Sequence, residues 1–319
     1  MKKKCTIAID LGGTKIYFAL IAENGDIYYE TKHKTGASGG NDLLKQLLEG
    51  TKLLLEEAEK LNFDVKAIGI GSPGRVDSKN GIVVDCTPNL KNWQGINIKQ
   101  AFSNEFNTPV FIDNDANVAA YGEYVLNKEN KKTIVVLTLG TGLGSGIIHN
   151  EKLFRGSGLG PEIGHMIIEA KGRDCSCGQR GCFEMYVSGT ALEHQAKKRL
   201  DEYPDSLLNK IRHITSHDIF DLAEQNDIFC ALLIDEMAEY LAYGLISLIN
   251  IFDPDLILLA GGISKRSSLY LNKVTNMVDK KINYTSFDKK IIQIAESNEK
   301  SGLIGAGLIA FLGYERGEI

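Results

Sequence analysis

Short β-branched and aromatic runs open the chain. "CTIAID", "TKIYFALIA" and "DIYYETKHK" are separated by "LGG" and "ENG", and turn residues between apolar runs predict an antiparallel three-strand meander. The period then changes. Leu44, Leu47, Leu48, Leu54, Leu55, Ala58 and Leu61 fall at helical spacing, predicting one amphipathic helix. "KAIGIGSPG" and "TPVFIDND" are apolar runs ending in Gly or Asp, the form of buried strands whose carboxyl ends carry polar loops. Strands alternating with helices predict an α/β fold.

Near the middle the opening pattern recurs. "TIVVLTLGTGLGSGIIHN" is again strand, glycine turn, strand, which predicts two related domains with a boundary near Asp115 to Leu126. Chance likeness between two glycine-rich hairpins is the alternative. Ile234, Met237, Ala238, Leu241, Leu245 and Leu248 predict a long buried helix feeding the strand "DLILLAGG". The last helical run, "SGLIGAGLIAFLG", is rich in small residues and suited to close packing.

At 319 residues the chain exceeds the roughly 250 to 300 at which a single core stops growing, so two domains or one large one are expected. A net charge of -5 argues against a general nucleic-acid surface, which would be basic, and leaves a small substrate open. "MKKKCTIAID" meets Asp10 after five apolar or small residues, too soon for a signal-peptide core, and no window approaches a membrane span. A cytoplasmic protein is expected, with its thiols reduced.

That bears on "GHMIIEAKGRDCSCGQRGCFE", where His165 precedes Cys175, Cys177 and Cys182. A disulfide, a redox pair and a metal site are the candidate readings, and a reducing compartment disfavours the first. Cys5, Cys86 and Cys230 read as small packing residues.

Three glycine turns each follow an apolar strand: Gly12-Gly13-Thr14, Gly140-Thr141-Gly142 with Gly144, and Gly261-Gly262. Successive amides in such turns can face one anion, and glycine lets phosphate come close to the backbone. Neither a GxxxxGK[ST] loop nor a GxGxxG opening a helix is present, so a phosphate site here belongs to another class.

"DLGGTK", "LTLGTGLGSG" and "LLAGGIS" resemble the two phosphate loops and the adenosine loop of the actin-like, hexokinase-type (ribonuclease H-like) ATPase fold. "GIGSPGRVD", "PNLKNW", "IDNDANVAAYGE", "PEIGHM" and "CSCGQRGCFE" resemble the ROK family of bacterial sugar kinases, particularly its glucokinases. The resemblance runs from Ile7 to about Phe311 in the family's order. It implies an α/β fold of two lobes around a cleft. Residues 1–118 would form a small lobe completed by the C-terminal helix 301–319, and residues 119–300 a large lobe with a zinc-bound loop. Two departures stand out: Pro161, where relatives carry a small residue, and Ser145, where Gly or Ala is frequent. Pro161 bears on sugar preference through Glu162.

Roles follow from the resemblance. Asp115 would be the general base that accepts the proton of the sugar's 6-hydroxyl; its local sequence alone favours a helix N-cap. Asp10 would help organise Mg²⁺ beside Gly12, Gly13 and Thr14, where the local reading is a turn carboxylate. Lys15 is a weaker member of the set, readable as a solvated turn lysine. Thr138, Gly140, Thr141, Gly142 and Gly144 would form the second phosphate loop, and Gly262 would lie by the nucleoside of ATP. Gly74, Asn89, Asn114, Asp115, Glu162, His165 and Glu184 would meet the sugar; without the resemblance the two glutamates read as solvated loop charges.

For the cysteine cluster, one imidazole and three thiolates are a Cys₃His set suited to closed, tetrahedral, structural Zn²⁺. No thioredoxin-like βαβ context supports the redox pair. His165, Cys175, Cys177 and Cys182 would therefore anchor the loop carrying Glu162 and Glu184.

The function implied is transfer of the γ-phosphate of ATP to the 6-hydroxyl of a hexose, with glucose first. N-acetylglucosamine, N-acetylmannosamine and fructose are alternative acceptors, and polyphosphate is an alternative donor. A small-molecule hexose is the expected partner, without nucleic acid or membrane, in a homo-oligomer of two or four chains. The family also holds sugar-responsive repressors with a winged helix-turn-helix ahead of the first phosphate loop. Only Met1 to Cys5 precede the first strand here, so the kinase is the expectation, with a regulator or silent sensor behind it.

Overall fold

The computed structural model describes residues 2–85, 90–126, 131–282, 288–295 and 300–317. The chain divides into two compact units. One comprises Met1–Glu129, Gly146–Pro161 and Asn298–Ile319, and the other Asn130–Ser145 and Glu162–Ser297.

The first unit begins with β1 (Lys3–Leu11), β2 (Lys15–Ile21) and β3 (Ile27–Lys34), followed by α1 (Gly40–Lys60) and β4 (Phe63–Ser72). A short hairpin, β5 (Arg75–Asp77) and β6 (Ile82–Asp85), precedes α2 (Ile98–Glu105), β7 (Val110–Asn114) and α3 (Asp115–Leu126). The sheet order is β3-β2-β1-β4-β7. Its first three strands are the expected antiparallel meander, and β4 and β7 add in parallel. Both faces of β1 are buried, which is why "CTIAI" is continuously apolar or small rather than alternating.

In α1 the face formed by Leu43, Leu47, Leu54 and Ala58 is buried, with Leu44, Leu48 and Leu55 packed partly against it. Leu61 departs from the pattern. It caps the C-terminus, Asn62 follows at φ 59°, and the Leu61 side chain is exposed. The helix ends before the hydrophobic stripe does.

The second sheet contains β8 (Thr133–Leu139), β9 (Leu143–His149) and β10 (Lys152–Leu153), and, after four helices, β11 (Leu256–Ala260). Those helices are α4 (Glu184–Val187), α5 (Gly189–Arg199), α6 (Ser216–Glu224) and α7 (Ile228–Phe252). α8 (Leu271–Lys281) and β12 (Ile292–Ile294) follow. The order is β10-β9-β8-β11-β12, with β11 parallel to both β8 and β12. The recurring strand-turn-strand segments thus open two sheets of the same plan. The expected core residues of α7, from Ile234 to Leu248, are all buried.

α9 (Ser301–Glu315) belongs to the first unit and packs on α3, β4 and β1. Its small residues permit that approach: a Cβ on Gly305 would lie 1.7 Å from the carbonyl oxygen of Val118 in α3. Among the described residues no helix is long and apolar enough to cross a membrane.

Candidate active site

In the first unit, strand register gathers the acidic candidates. Asp10 pairs with Gly71, Gly71 with Asp113, and Ser72 with Asn114. Asp10, Asp113 and Asn114 therefore stand at the carboxyl ends of adjacent parallel strands, where open α/β sheets place their ligand loops. The Gly12 amide donates to the Lys15 carbonyl at 2.9 Å, and the Thr35 hydroxyl donates to the Gly12 carbonyl at 2.8 Å, fixing the turn. Gly13, Thr14 and Lys15 are exposed.

Asp10 does not cap that turn: among the described residues none hydrogen-bonds its carboxylate. Burial pushes its pKa up to about 6. α9 begins beside it, and a Cβ on Gly302 would come within 2.8 Å of Asp10 Oδ2. A half-buried carboxylate without a hydrogen-bond partner among the described residues is a fitting place for a cation.

The start of α3 is organised by Asn114. Its Oδ1 accepts from the amides of Ala116 at 2.8 Å and Asn117 at 3.2 Å, and its Nδ2 donates to the Gly74 carbonyl at 2.7 Å. Asn114 thus performs the capping that local sequence assigned to Asp115, and Asp115 accepts from Ala116 N at 2.8 Å. The structure brings together Gly74, Asn114 and Asp115; Asn89 lies outside the described residues.

Sequence reasoning missed the support beneath this segment. Asp113, 2% exposed, accepts from Arg155 Nε at 2.5 Å through Oδ2. Through Oδ1 it accepts from Asn114 N and Asn117 Nδ2, both at 2.8 Å. The acid of "IDND" was visible, but Arg155 lies 42 residues away with no local signature.

In the second unit, Thr138 sits near the end of β8 and the glycine turn follows. Gly140 N donates to Gly142 O at 3.0 Å, and Gly189 N donates to Gly140 O at 2.8 Å. Glu184 Oε2 accepts from Leu143 N at 2.8 Å, and a Cβ on Gly142 would come within 2.5 Å of that oxygen. Gly144 lies within β9. Gly262 precedes the 3₁₀ turn Ile263–Leu269, and its neighbour Gly261 packs on the Leu139 carbonyl, so the Gly140 and Gly262 turns adjoin.

Glu162 and His165 belong to a second 3₁₀ turn, held by His165 N donating to Glu162 O at 3.0 Å. Ser145 fastens this turn to β9, its Oγ accepting from Ile163 N at 3.2 Å. A Gly or Ala at Ser145 could not make that bond.

His165, Cys175, Cys177 and Cys182 each offer one ligand atom, and the four atoms lie within 4.8 Å of one another. His165 Nδ1 is 3.7 Å from Cys175 Sγ, and Cys177 Sγ is 3.6 Å from Cys182 Sγ. Zinc–sulfur bonds of about 2.3 Å at tetrahedral angles put sulfurs about 3.8 Å apart, so the set fits zinc. Burial is the leading reason the Cys182 thiol is pushed up to about 12; a bound cation reverses that preference by stabilising thiolate. The five described cysteines form no disulfide.

These features define an α/β protein with two five-strand sheets, each carrying glycine loops at strand ends, and a Cys₃His metal-binding cluster. The model of the ROK family matches residues 6–311, and the chain belongs to that family. It is 31% identical over 316 residues to a glucokinase of Thermotoga maritima, covering 97% of this chain and 98% of the relative. It is 34% identical over 279 residues to a xylose repressor of Bacillus spizizenii, covering 87% of this chain and 69% of the repressor. A ROK family glucokinase from Streptomyces griseus, solved with glucose and AMPPNP, matches with a TM-score of 0.79 at 32% identity over 97% of this chain and all of that one. The fold is therefore the actin-like fold of that ROK glucokinase structure.

Proposed function

We propose that this chain is an ATP-dependent hexose kinase that transfers the γ-phosphoryl group of ATP to the 6-hydroxyl of glucose. The observation that carries the reading is the division of labour at the start of α3. Asn114 caps the helix through Ala116 and Asn117, so the cap does not rest on Asp115, which accepts from the adjacent Ala116 amide. A helix N-terminus favours the ionised carboxylate a general base requires.

In this reading Asp115 accepts the hydroxyl proton as the sugar oxygen forms its bond to the γ-phosphorus and the bond to the ADP oxygen breaks. Asn114, Gly74, Asn89, Glu162, His165 and Glu184 hold the sugar; carboxylates accept from hydroxyl pairs whose donors are costly to bury unpaired. His165 serves two ends, because its Nδ1 faces the cysteine cluster and Nε2 is on the other side of the ring. The amides of Gly12, Gly13, Gly140, Thr141, Gly142 and Gly144, with Thr14, Thr138 and Lys15, hold phosphates, and Gly262 lies by the nucleoside. Asp10 would hold Mg²⁺ through water; when bound, that ion supplies charge neutralisation at the phosphates. His165, Cys175, Cys177 and Cys182 would hold a structural Zn²⁺ with no open position, fixing the loop between Glu162 and Glu184.

A second reading, a sugar-responsive regulator, is supported by the similarity to a xylose repressor. The test is a coupled ADP-release assay across glucose, mannose, glucosamine, fructose, xylose and the N-acetylhexosamines, with ATP and polyphosphate as donors. Turnover greatest with glucose and ATP supports the kinase. Saturable sugar binding without turnover on any acceptor supports the regulator.

A further inference from the structure

A cavity of about 440 Å³, within the first unit, is lined by none of the residues assigned above to sugar, nucleotide or metal, and Arg155 is the one member of its lining already described. Its volume falls in the range of small-molecule sites. Five cations line it: Lys79 and Lys99 near the β5–β6 hairpin and the start of α2, and Lys152, Arg155 and Arg316 beyond β9 and at the end of α9. Acidic residues are absent from the lining, and Arg155 pairs with Asp113. Among the described residues no carboxylate forms an ion pair with Lys79, Lys99, Lys152 or Arg316. Phe111 of the edge strand β7, with Ile309 and Leu312 of α9, supplies an apolar floor.

Four cations without ion pairs around a concave apolar floor repel one another, and an anion entering between them relieves that repulsion. They come from two groups of elements, the Lys79–Lys99 side and the Lys152–Arg316 side, which suits a ligand with an anionic group at either end. Arg155 connects the cavity to the segment described above. The same guanidinium lines the cavity and holds Asp113, whose other oxygen fixes Asn114 N and Asn117 Nδ2. An anion that draws on Arg155 weakens its grip on Asp113 and loosens the support of Asn114 and Asp115.

We propose that this cavity binds a small metabolite carrying two phosphate groups, and that Arg155 is the positioning residue that transmits its binding to the Asn114–Asp115 segment. The proposal is independent of which reaction the chain performs, since its readouts are binding and fluorescence. The chain's one tryptophan is well placed to report it: buried Trp93 donates through Nε1 to Ser72 Oγ at 2.9 Å, and Ser72 pairs with Asn114.

The experiment titrates fructose 1,6-bisphosphate into the full chain by calorimetry and by Trp93 emission, with fructose as the neutral control and inorganic phosphate as the single anion. The expected result is one saturable site per chain for the bisphosphate, weaker binding of phosphate, and for fructose no binding that Lys99→Glu/Arg316→Glu weakens. Lys99→Glu/Arg316→Glu should weaken binding by at least ~10-fold, as expected for reversed charge-assisted contacts. Lys79→Ala/Lys152→Ala, at exposed positions, repeats the test with little risk to folding. Arg155→Lys should keep much of the affinity while losing the Trp93 response. The proposal is overturned if the wild type shows no saturable binding, if both double variants bind as the wild type does, or if Trp93 emission does not change at saturation.

Discussion

The carboxylate of Glu184 accepts a hydrogen bond from Leu143 N at 2.8 Å, so a side chain read from the sequence as a sugar contact also holds the Gly140–Gly144 loop. The two residues are 41 positions apart. Glu184→Ala is therefore expected to raise KM for the nucleotide as well as for the sugar. Initial-rate kinetics with each substrate varied in turn checks this, and a rise confined to the sugar KM would mean that the Leu143 contact contributes nothing to the phosphate loop.

Asp115→Asn should lower kcat by roughly 10²- to 10⁴-fold, the range for losing a general base, while sugar binding stays within several-fold of wild type. Thermal stability should change little, because Asn114 carries the cap. Near-normal turnover in the purified variant would remove Asp115 from the chemistry.

Asp10 links function to pH. Its pKa of about 6 in the folded protein is above the 3.8 ordinary for an aspartate, so the folded state binds the proton more tightly than the unfolded one does. The resulting stability is fully present below about pH 4 and is lost as pH rises through about 6. At pH 7.5 the ionised carboxylate costs on the order of 2–3 kcal/mol. Asp10→Asn should thus raise Tm by several degrees at pH 7.5 without added magnesium or nucleotide, and leave it unchanged at pH 4. The same variant should lose most turnover. Scanning calorimetry at both pH values decides it; an equal Tm shift at the two would assign the effect to packing rather than charge.

One tightly held zinc per chain is expected, removed together with several degrees of Tm in Cys177→Ser. Elemental analysis of freshly purified, unchelated protein checks the metal. Its absence from the wild type, or a disulfide between Cys175 and Cys177 found by mass spectrometry, would contradict the closed Cys₃His site.

Local patterns made much of the fold legible. The β1–β3 meander and the long buried α7 follow from spacing alone, because each is settled by neighbours within a few turns, whereas the small residues of α9 signalled close packing but not its partner, Val118 of α3. The cysteine cluster was legible from its ligand types. What could not be read depended on partners distant in sequence. Glu123, 2% exposed, looks like a surface helix charge until Ser301 Oγ donates to it at 2.5 Å from 178 residues away. Asp113 gave no sign of Arg155 for the same reason. The exchange of capping between Asp115 and Asn114 escaped because Asn and Asp are equally good caps, and only backbone geometry selects between adjacent candidates.

Phosphorus NMR of the product formed from ATP and glucose by the purified protein decides whether the chain is a glucose kinase. A phosphomonoester on carbon 6 is expected together with ADP, formed with higher kcat/KM than from N-acetylglucosamine or N-acetylmannosamine. A site that hydrogen-bonds a hydroxyl rejects an analogue lacking it. Glucose binding with no phosphomonoester and no ADP would contradict the kinase and leave a sugar-responsive regulator, whereas a preference for an N-acetylated hexosamine would keep the kinase and overturn the assignment of glucose.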